Sequence, residues 1–218
     1  MMGSVDDRRP IIPLRCRVKL VGMRELIIGG ARSGKSRLAE QRANDSGLRV
    51  VYVATAQALD GEMARRIANH RSRRPANWQV IEEPLELAAV LRRQAAAEVC
   101  LLVDCLTLWL SNLLFAGDAA RQAEAGEAID CPRLRSAIRD LLDCLPVLPG
   151  RQILVANEVG CGVVPMNAVA RCFADEQGRL NQQLAAVCEQ VTLVAAGLPL
   201  RLKSPAMLAD ESASPDPR

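Results

Sequence analysis

Gly29, Gly30, Ala31, Arg32, Ser33, Gly34, Lys35 and Ser36 read G-G-A-R-S-G-K-S, which satisfies the pattern G-x-x-x-x-G-K-[ST]. Each position has a physical use. Phosphate oxygens need several converging N–H donors, and glycine lets a backbone approach with no Cβ in the way. A helix opening at about Lys35 adds the positive end of its dipole. The Lys35 ammonium can reach β- and γ-phosphates, and the Ser36 hydroxyl can ligate Mg2+. By average composition the four fixed positions arise by chance in roughly one chain in a hundred of this length, so the context must decide. An apolar run precedes the motif and a helical pattern follows it. The expected ligand is the phosphate chain of a nucleoside triphosphate, bound with Mg2+.

Such a loop needs a carboxylate to hold the metal. Asp104 ends the apolar stretch "VCLLVD" and fits that place; its plainer reading is a strand-end residue capping the next helix. Glu158, after Asn157 at the end of "ILVANE", is a second candidate on the same kind of strand end. The single histidine, His70, lies in "LDGEMARRIANHRSRRPANW". Asp60 can cap a helix there, Glu62 pairs with Arg66, and Met63, Ile67 and His70 share a face. Arg71, Ser72, Arg73 and Arg74 follow. Two readings stay open from the residues alone. His70 is either a packed helix-terminal side chain beside a solvated arginine run, or an imidazole nucleophile whose arginines hold departing phosphates.

The elements that must position these residues alternate. Strand-like segments at 25–29, 49–55, 78–83, 99–105, 151–158 and 190–197 are short, continuous and rich in Val, Ile and Leu. That composition suits parallel strands buried on both faces. Helical patterns at 35–46, 60–72, 84–97, 106–115, 132–145 and 166–189 lie between them. The expected fold class is α/β: a single domain with a mostly parallel central sheet flanked by helices, carrying the P-loop after its first strand. Residues 116–131 read as a surface insertion or helix extension.

The bulk numbers exclude several classes. The chain has 218 residues, 50% of them apolar, and a net charge of +3. This supports one packed domain and rules out a disordered chain. Aromatics make up only 2%, too few for base-stacking platforms, and no basic stripe is visible, so no nucleic-acid partner is expected. No apolar run reaches the roughly 18 residues of a membrane span. No signal-peptide pattern opens the chain, and the location to expect is cytoplasmic. Eight cysteines without a C-x-x-C pair read as reduced packing residues, with zinc as the lesser alternative.

Several segments together resemble the bifunctional adenosylcobinamide kinase/adenosylcobinamide-phosphate guanylyltransferase family of cobalamin biosynthesis. They are "GGARSGKS" (29–36), "YVATAQALDGEMARRIANHR" (52–71), "RPANW" (74–78), "LTLWLSNLLF" (106–115), "ANEVGCGVVP" (156–165) and "GRLNQQLAA" (178–186). The resemblance covers about residues 24 to 200, and its last two stretches are far more specific than the loop. It implies that the aminopropanol hydroxyl of adenosylcobinamide is phosphorylated by ATP or GTP. GTP then donates GMP through a histidine–GMP phosphoramidate, which falls on His70. It further implies that Gly29 to Ser36 bind phosphates, with Lys35 catalytic, and that Ala54, Thr55 and Ala56 line the nucleotide site. Arg71 to Arg74 then flank the histidine, and Glu82 and Asp104 contact nucleotide or Mg2+. A RecA-like P-loop NTPase fold, a kinase/guanylyltransferase domain at 23–203 and a homotrimer are implied. From the residues themselves, 1–22 read as a dispensable flexible extension, and the Pro-, Ser- and acid-rich 204–218 as a disordered tail. The alternative is a P-loop small-molecule kinase with no covalent guanylyl step. The chain departs from the family pattern in three places, the first an extension before Met23 that is not part of the family core. It has "AVCEQV" (186–191) where many members have an acidic "ADEV", and Asn69–His70 where some carry two adjacent histidines.

Overall fold

The computed structural model describes residues 22–57, 61, 65 and 75–205. Its core is a seven-stranded sheet in the order β3-β2-β4-β5-β1-β6-β7. The strands are β1 (Met23–Gly29), β2 (Arg49–Ala54), β3 (Gln79–Glu82), β4 (Val99–Asp104), β5 (Arg151–Asn157), β6 (Gln190–Ala195) and β7 (Leu198–Lys203). All neighbouring pairs are parallel except β6 with β7. The described helices are α1 (Lys35–Asn44), α2 (Leu87–Gln94), α3 (Leu106–Phe115), α4 (Ala119–Glu124), α5 (Pro132–Cys144) and α6 (Ala168–Val187).

The continuous apolar runs are explained by burial on both faces. In β4, Val99, Leu101 and Val103 pack with Leu26 and Leu154 on the side of α2, α3, α5 and α6. Cys100 and Leu102 point the other way, packing with Ile27, Ile153 and Val155 beneath Ala39 and Ala43 of α1. Burying a side chain such as Leu101 or Leu102 stabilises the fold by about 1.5–3 kcal/mol. Helix α3 is apolar nearly all round, and Leu106, Trp109, Leu110, Leu113 and Leu114 are all buried.

Register lines up the ends that matter. Ala54 lies opposite both Glu82 and Asp104, and Gly29 lies opposite Asn157. The strand ends carrying Gly29, Ala54, Glu82, Asp104 and Asn157 therefore share the carboxyl edge, where open α/β sheets bind ligands. The opposite edge is held by charge. Glu25, fully buried, pairs with Arg42 of α1 and with Arg151 of β5.

Some boundaries differ from the sequence reading. Residues 198–203 form a strand that the reading stopped short of. Ala196 (φ 51°) and Gly197 (φ 80°) both adopt left-handed backbone, the geometry of a two-residue hairpin turn. Pro199 in β7 is compatible with its edge position. Part of 116–131 is helix α4, with Ala119 and Cys131 buried. Gly22 and Ser204 are buried residues at the two ends of the described chain. The expected helix at 60–72, including Asp60, Glu62, Met63, Arg66 and Ile67, falls almost entirely outside the described residues. Of the cysteines, Cys100, Cys105, Cys131, Cys144 and Cys188 are buried free thiols, Cys172 is half-buried and Cys161 is exposed. Burial pushes the Cys100 and Cys105 thiols up to about 11 and Cys188 to about 12, so these three stay protonated near neutral pH. Among the described residues no helix is long and apolar enough to cross a membrane.

Candidate active site

The loop between β1 and α1 is shaped by two glycines that cannot be replaced without strain. A Cβ on Gly29 would collide with the Val194 carbonyl and lie 2.7 Å from Ser33 Oγ. Gly34 caps α1 with φ 98°, a left-handed conformation that side chains resist. Ser33 N–H donates to the Gly30 carbonyl at 3.2 Å, and Gly197 N–H donates to the Ser33 carbonyl at 2.9 Å. The β6–β7 turn thus braces the loop from outside. Arg32, at φ 57°, completes the bend. The Ser33 hydroxyl is buried with no hydrogen-bond partner among the described residues. Gly30, Ala31 and Arg32 are exposed at the rim.

Lys35 opens α1 and is buried, its ammonium donating to the Gly30 carbonyl at 3.1 Å. Burial pulls its pKa down, while Cys105 and Asp104 pull it up. Beside it the Ser36 hydroxyl donates to Asp104 Oδ1 at 3.3 Å. The structure therefore brings Lys35 and Ser36, at the start of α1 after β1, together with Asp104 at the end of β4, although β5 lies between β1 and β4. Ser36 and Asp104 offer hard oxygen donors on one side of the loop, a donor set that fits Mg2+.

The other expected residues are placed less uniformly. Ala54 and Ala56 are half-buried at the end of β2. Thr55 is fully buried, and its hydroxyl is engaged twice by the Cys105 backbone, donating to the carbonyl at 2.7 Å and accepting from the N–H at 3.0 Å. Its side chain fastens β2 to the start of α3 and does not reach the rim. Glu82 is exposed on β3, at the end of the sheet remote from β1. His70, Arg71, Ser72, Arg73 and Arg74 lie outside the described residues.

Several contributors carried weaker signals in the sequence. Tyr52 donates its hydroxyl to Asp104 Oδ2 at 2.8 Å. Glu158 N–H donates to the Gly29 carbonyl at 3.1 Å, joining the end of β5 to the start of the loop. That end is held from behind. Thr107 Oγ1 accepts from Asn157 N–H at 2.7 Å, Asn181 Nδ2 donates to the Asn157 carbonyl at 3.1 Å, and Gln177 Nε2 donates to Asn181 Oδ1 at 2.9 Å. The spacing of Gln177 and Asn181, two buried amides four apart on one face of α6, was the available signal.

A G-x-x-x-x-G-K-S loop on the first strand of a parallel sheet, facing a strand-end carboxylate, defines a P-loop nucleotide-binding α/β protein. Solved structures agree at the level of fold. A type III secretion ATPase from pathogenic bacteria matches with TM-score 0.50 and 15% identity, over 86% of this chain and 58% of that one. The EscN ATPase of enteropathogenic E. coli matches with TM-score 0.51 and 15% identity, over 89% of this chain and 46% of that one. The model of the CobU family, cobinamide kinase / cobinamide phosphate guanyltransferase, matches residues 25–202, and the chain belongs to that family of bifunctional enzymes. It is 59% identical over 181 residues to the bifunctional adenosylcobalamin biosynthesis protein CobP of Pseudomonas aeruginosa, covering 83% of this chain and 98% of that protein. It is 40% identical over 179 residues to the corresponding CobU protein of Salmonella typhimurium, covering 82% of this chain and 98% of that protein.

Proposed function

We propose that this enzyme phosphorylates adenosylcobinamide at its aminopropanol hydroxyl, using ATP or GTP. It then transfers GMP from GTP through His70, giving adenosylcobinamide-GDP and pyrophosphate. The observation that carries the reading is the Lys35–Ser36–Asp104 cluster on a P-loop in a chain of this family.

In the phosphoryl step the Gly29–Ser36 backbone holds the phosphate chain, with the α1 dipole behind it. Lys35 lies where its charge can follow the phosphoryl group as negative charge develops. Ser36 and Asp104 would hold Mg2+, which neutralises phosphate charge when bound. In the guanylyl step a ring nitrogen of neutral His70 attacks the α-phosphorus of GTP, and the bond to the β-phosphate oxygen breaks to release pyrophosphate. Arg71, Arg73 and Arg74 are the cations available to the departing charge. The phosphate oxygen of the corrinoid then attacks the same phosphorus, the P–N bond breaks and the imidazole is regenerated. A cytoplasmic setting and a homotrimer complete the proposal. The reduced thiols of the core support the first. The exposed Leu198, Leu200 and Leu202 on edge strand β7 support a contact between copies.

The test is direct incubation of the enzyme with adenosylcobinamide, Mg2+ and each nucleotide. The phosphate ester should form first, and the GDP conjugate should form with GTP present. Formation of the phosphate alone, with GTP in excess, would leave only the kinase.

A further inference from the structure

We infer that Tyr52 is a positioning residue for the metal-holding carboxylate, an assignment that rests on the reading of Asp104 and Ser36 as the Mg2+ ligands. Tyr52 sits opposite Leu102 in the β2–β4 register, two residues before Asp104 on the neighbouring strand. Leu102 and Asp104 share one face of β4, and the Tyr52 hydroxyl reaches Asp104 Oδ2 there. The ring is 1% exposed and stacks on Trp78 with centroids 6.4 Å apart and planes at 27°. Packing against Ala39, Ala43 and Val155 on the α1 side fixes it further.

The consequence is an aimed carboxylate. A phenol hydroxyl donates and an ionised carboxylate only accepts, so the 2.8 Å contact ties Asp104 Oδ2 to a rigid donor. Oδ1 is then directed at Ser36 Oγ, 3.3 Å away. Tyr52 needs no contact with substrate to do this. It selects one rotation of the carboxylate, leaving Oδ1 as the oxygen presented beside Ser36. Groups that orient metal ligands in this way typically change metal affinity about 10- to 100-fold when removed.

Tyr52→Phe removes the hydroxyl and keeps the ring and its stack. The experiment titrates Mn2+ into the full-length enzyme with GTP bound, read by electron paramagnetic resonance, for wild type, Tyr52→Phe and Asp104→Asn. Nucleotide binding without metal and the melting temperature are measured in parallel. Tyr52→Phe should weaken Mn2+ binding at least several-fold, with metal-free GTP binding and melting close to wild type, and raise the Mg2+ needed for half-maximal kinase activity. If Tyr52→Phe titrates like wild type while Asp104→Asn loses Mn2+, the positioning role is overturned and the metal assignment survives. If Asp104→Asn binds Mn2+ as wild type does, the metal assignment fails and the inference fails with it.

Discussion

Lys35 carries the most concentrated chemistry among the described residues. Its ammonium is buried beside Asp104 and held on the Gly30 carbonyl at 3.1 Å, so it is already in the loop where phosphate charge would arrive. Lys35→Ala should reduce cobinamide phosphorylation about 10²–10³-fold, the usual loss when one preorganised charge-stabilising contact is removed. A steady-state assay with near-normal turnover would refute the assignment. At this scale the sequence was readable wherever a motif sets residue types at fixed spacing, as in Gly29–Ser36. Tyr52 was not, because its role depends on which strand lies beside β2, and nothing local encodes that neighbour. Thr55, placed at the nucleotide site only by the family resemblance, turns its hydroxyl to the Cys105 backbone.

Among the elements, α6 connects the most specific stretch of the sequence to the site. The "GRLNQ" segment places Asn181 where its amide supports the Asn157 carbonyl and accepts from Gln177. Asn181→Ala would leave buried polar groups without partners, at about 1–3 kcal/mol. Chemical denaturation should show this as a lowered midpoint with unchanged slope, and an unchanged midpoint would contradict the buried network. The turn into β6 carries a second linkage. Burial pushes the Glu189 carboxyl up, but hydrogen bonds from the Arg24 guanidinium and backbone N–H outweigh it and leave it below the ordinary range. A carboxylate depressed in the folded state contributes stability above its unfolded pKa of about 4.3, and that contribution is lost as pH falls through the folded value. Glu189→Gln should therefore be less stable than wild type at neutral pH, with the gap closing under acid. A gap that stays constant with pH would rule out the ionic linkage. Within the "AVCEQV" departure, Cys188 is buried and Glu189 meets Arg24. Continuous Val, Ile and Leu runs made the parallel strands legible. Strand β7 was not legible, because its Leu-Pro-Leu-Arg-Leu-Lys pattern takes meaning only from the hairpin turn at Ala196 and Gly197.

For the whole molecule the question is how one domain runs two transfers. The sheet order separates β1 from β4 by β5, and helix and loop packing return Ser36 and Asp104 to one place. That convergence was implied by the motif and not by any spacing, since 68 positions separate the two residues. The second transfer is assigned to His70, the only imidazole in the chain. In the proposed function one chain holds both a P-loop kinase and a covalent guanylyl carrier. The most direct measurement incubates wild type and His70→Asn with α-labelled GTP and follows label on the protein beside both product-forming reactions. Acid-labile label is expected on wild type and none on the variant, with guanylyl transfer at background in the variant and phosphorylation of adenosylcobinamide retained. Label or guanylyl transfer persisting in folded His70→Asn would contradict the proposed function.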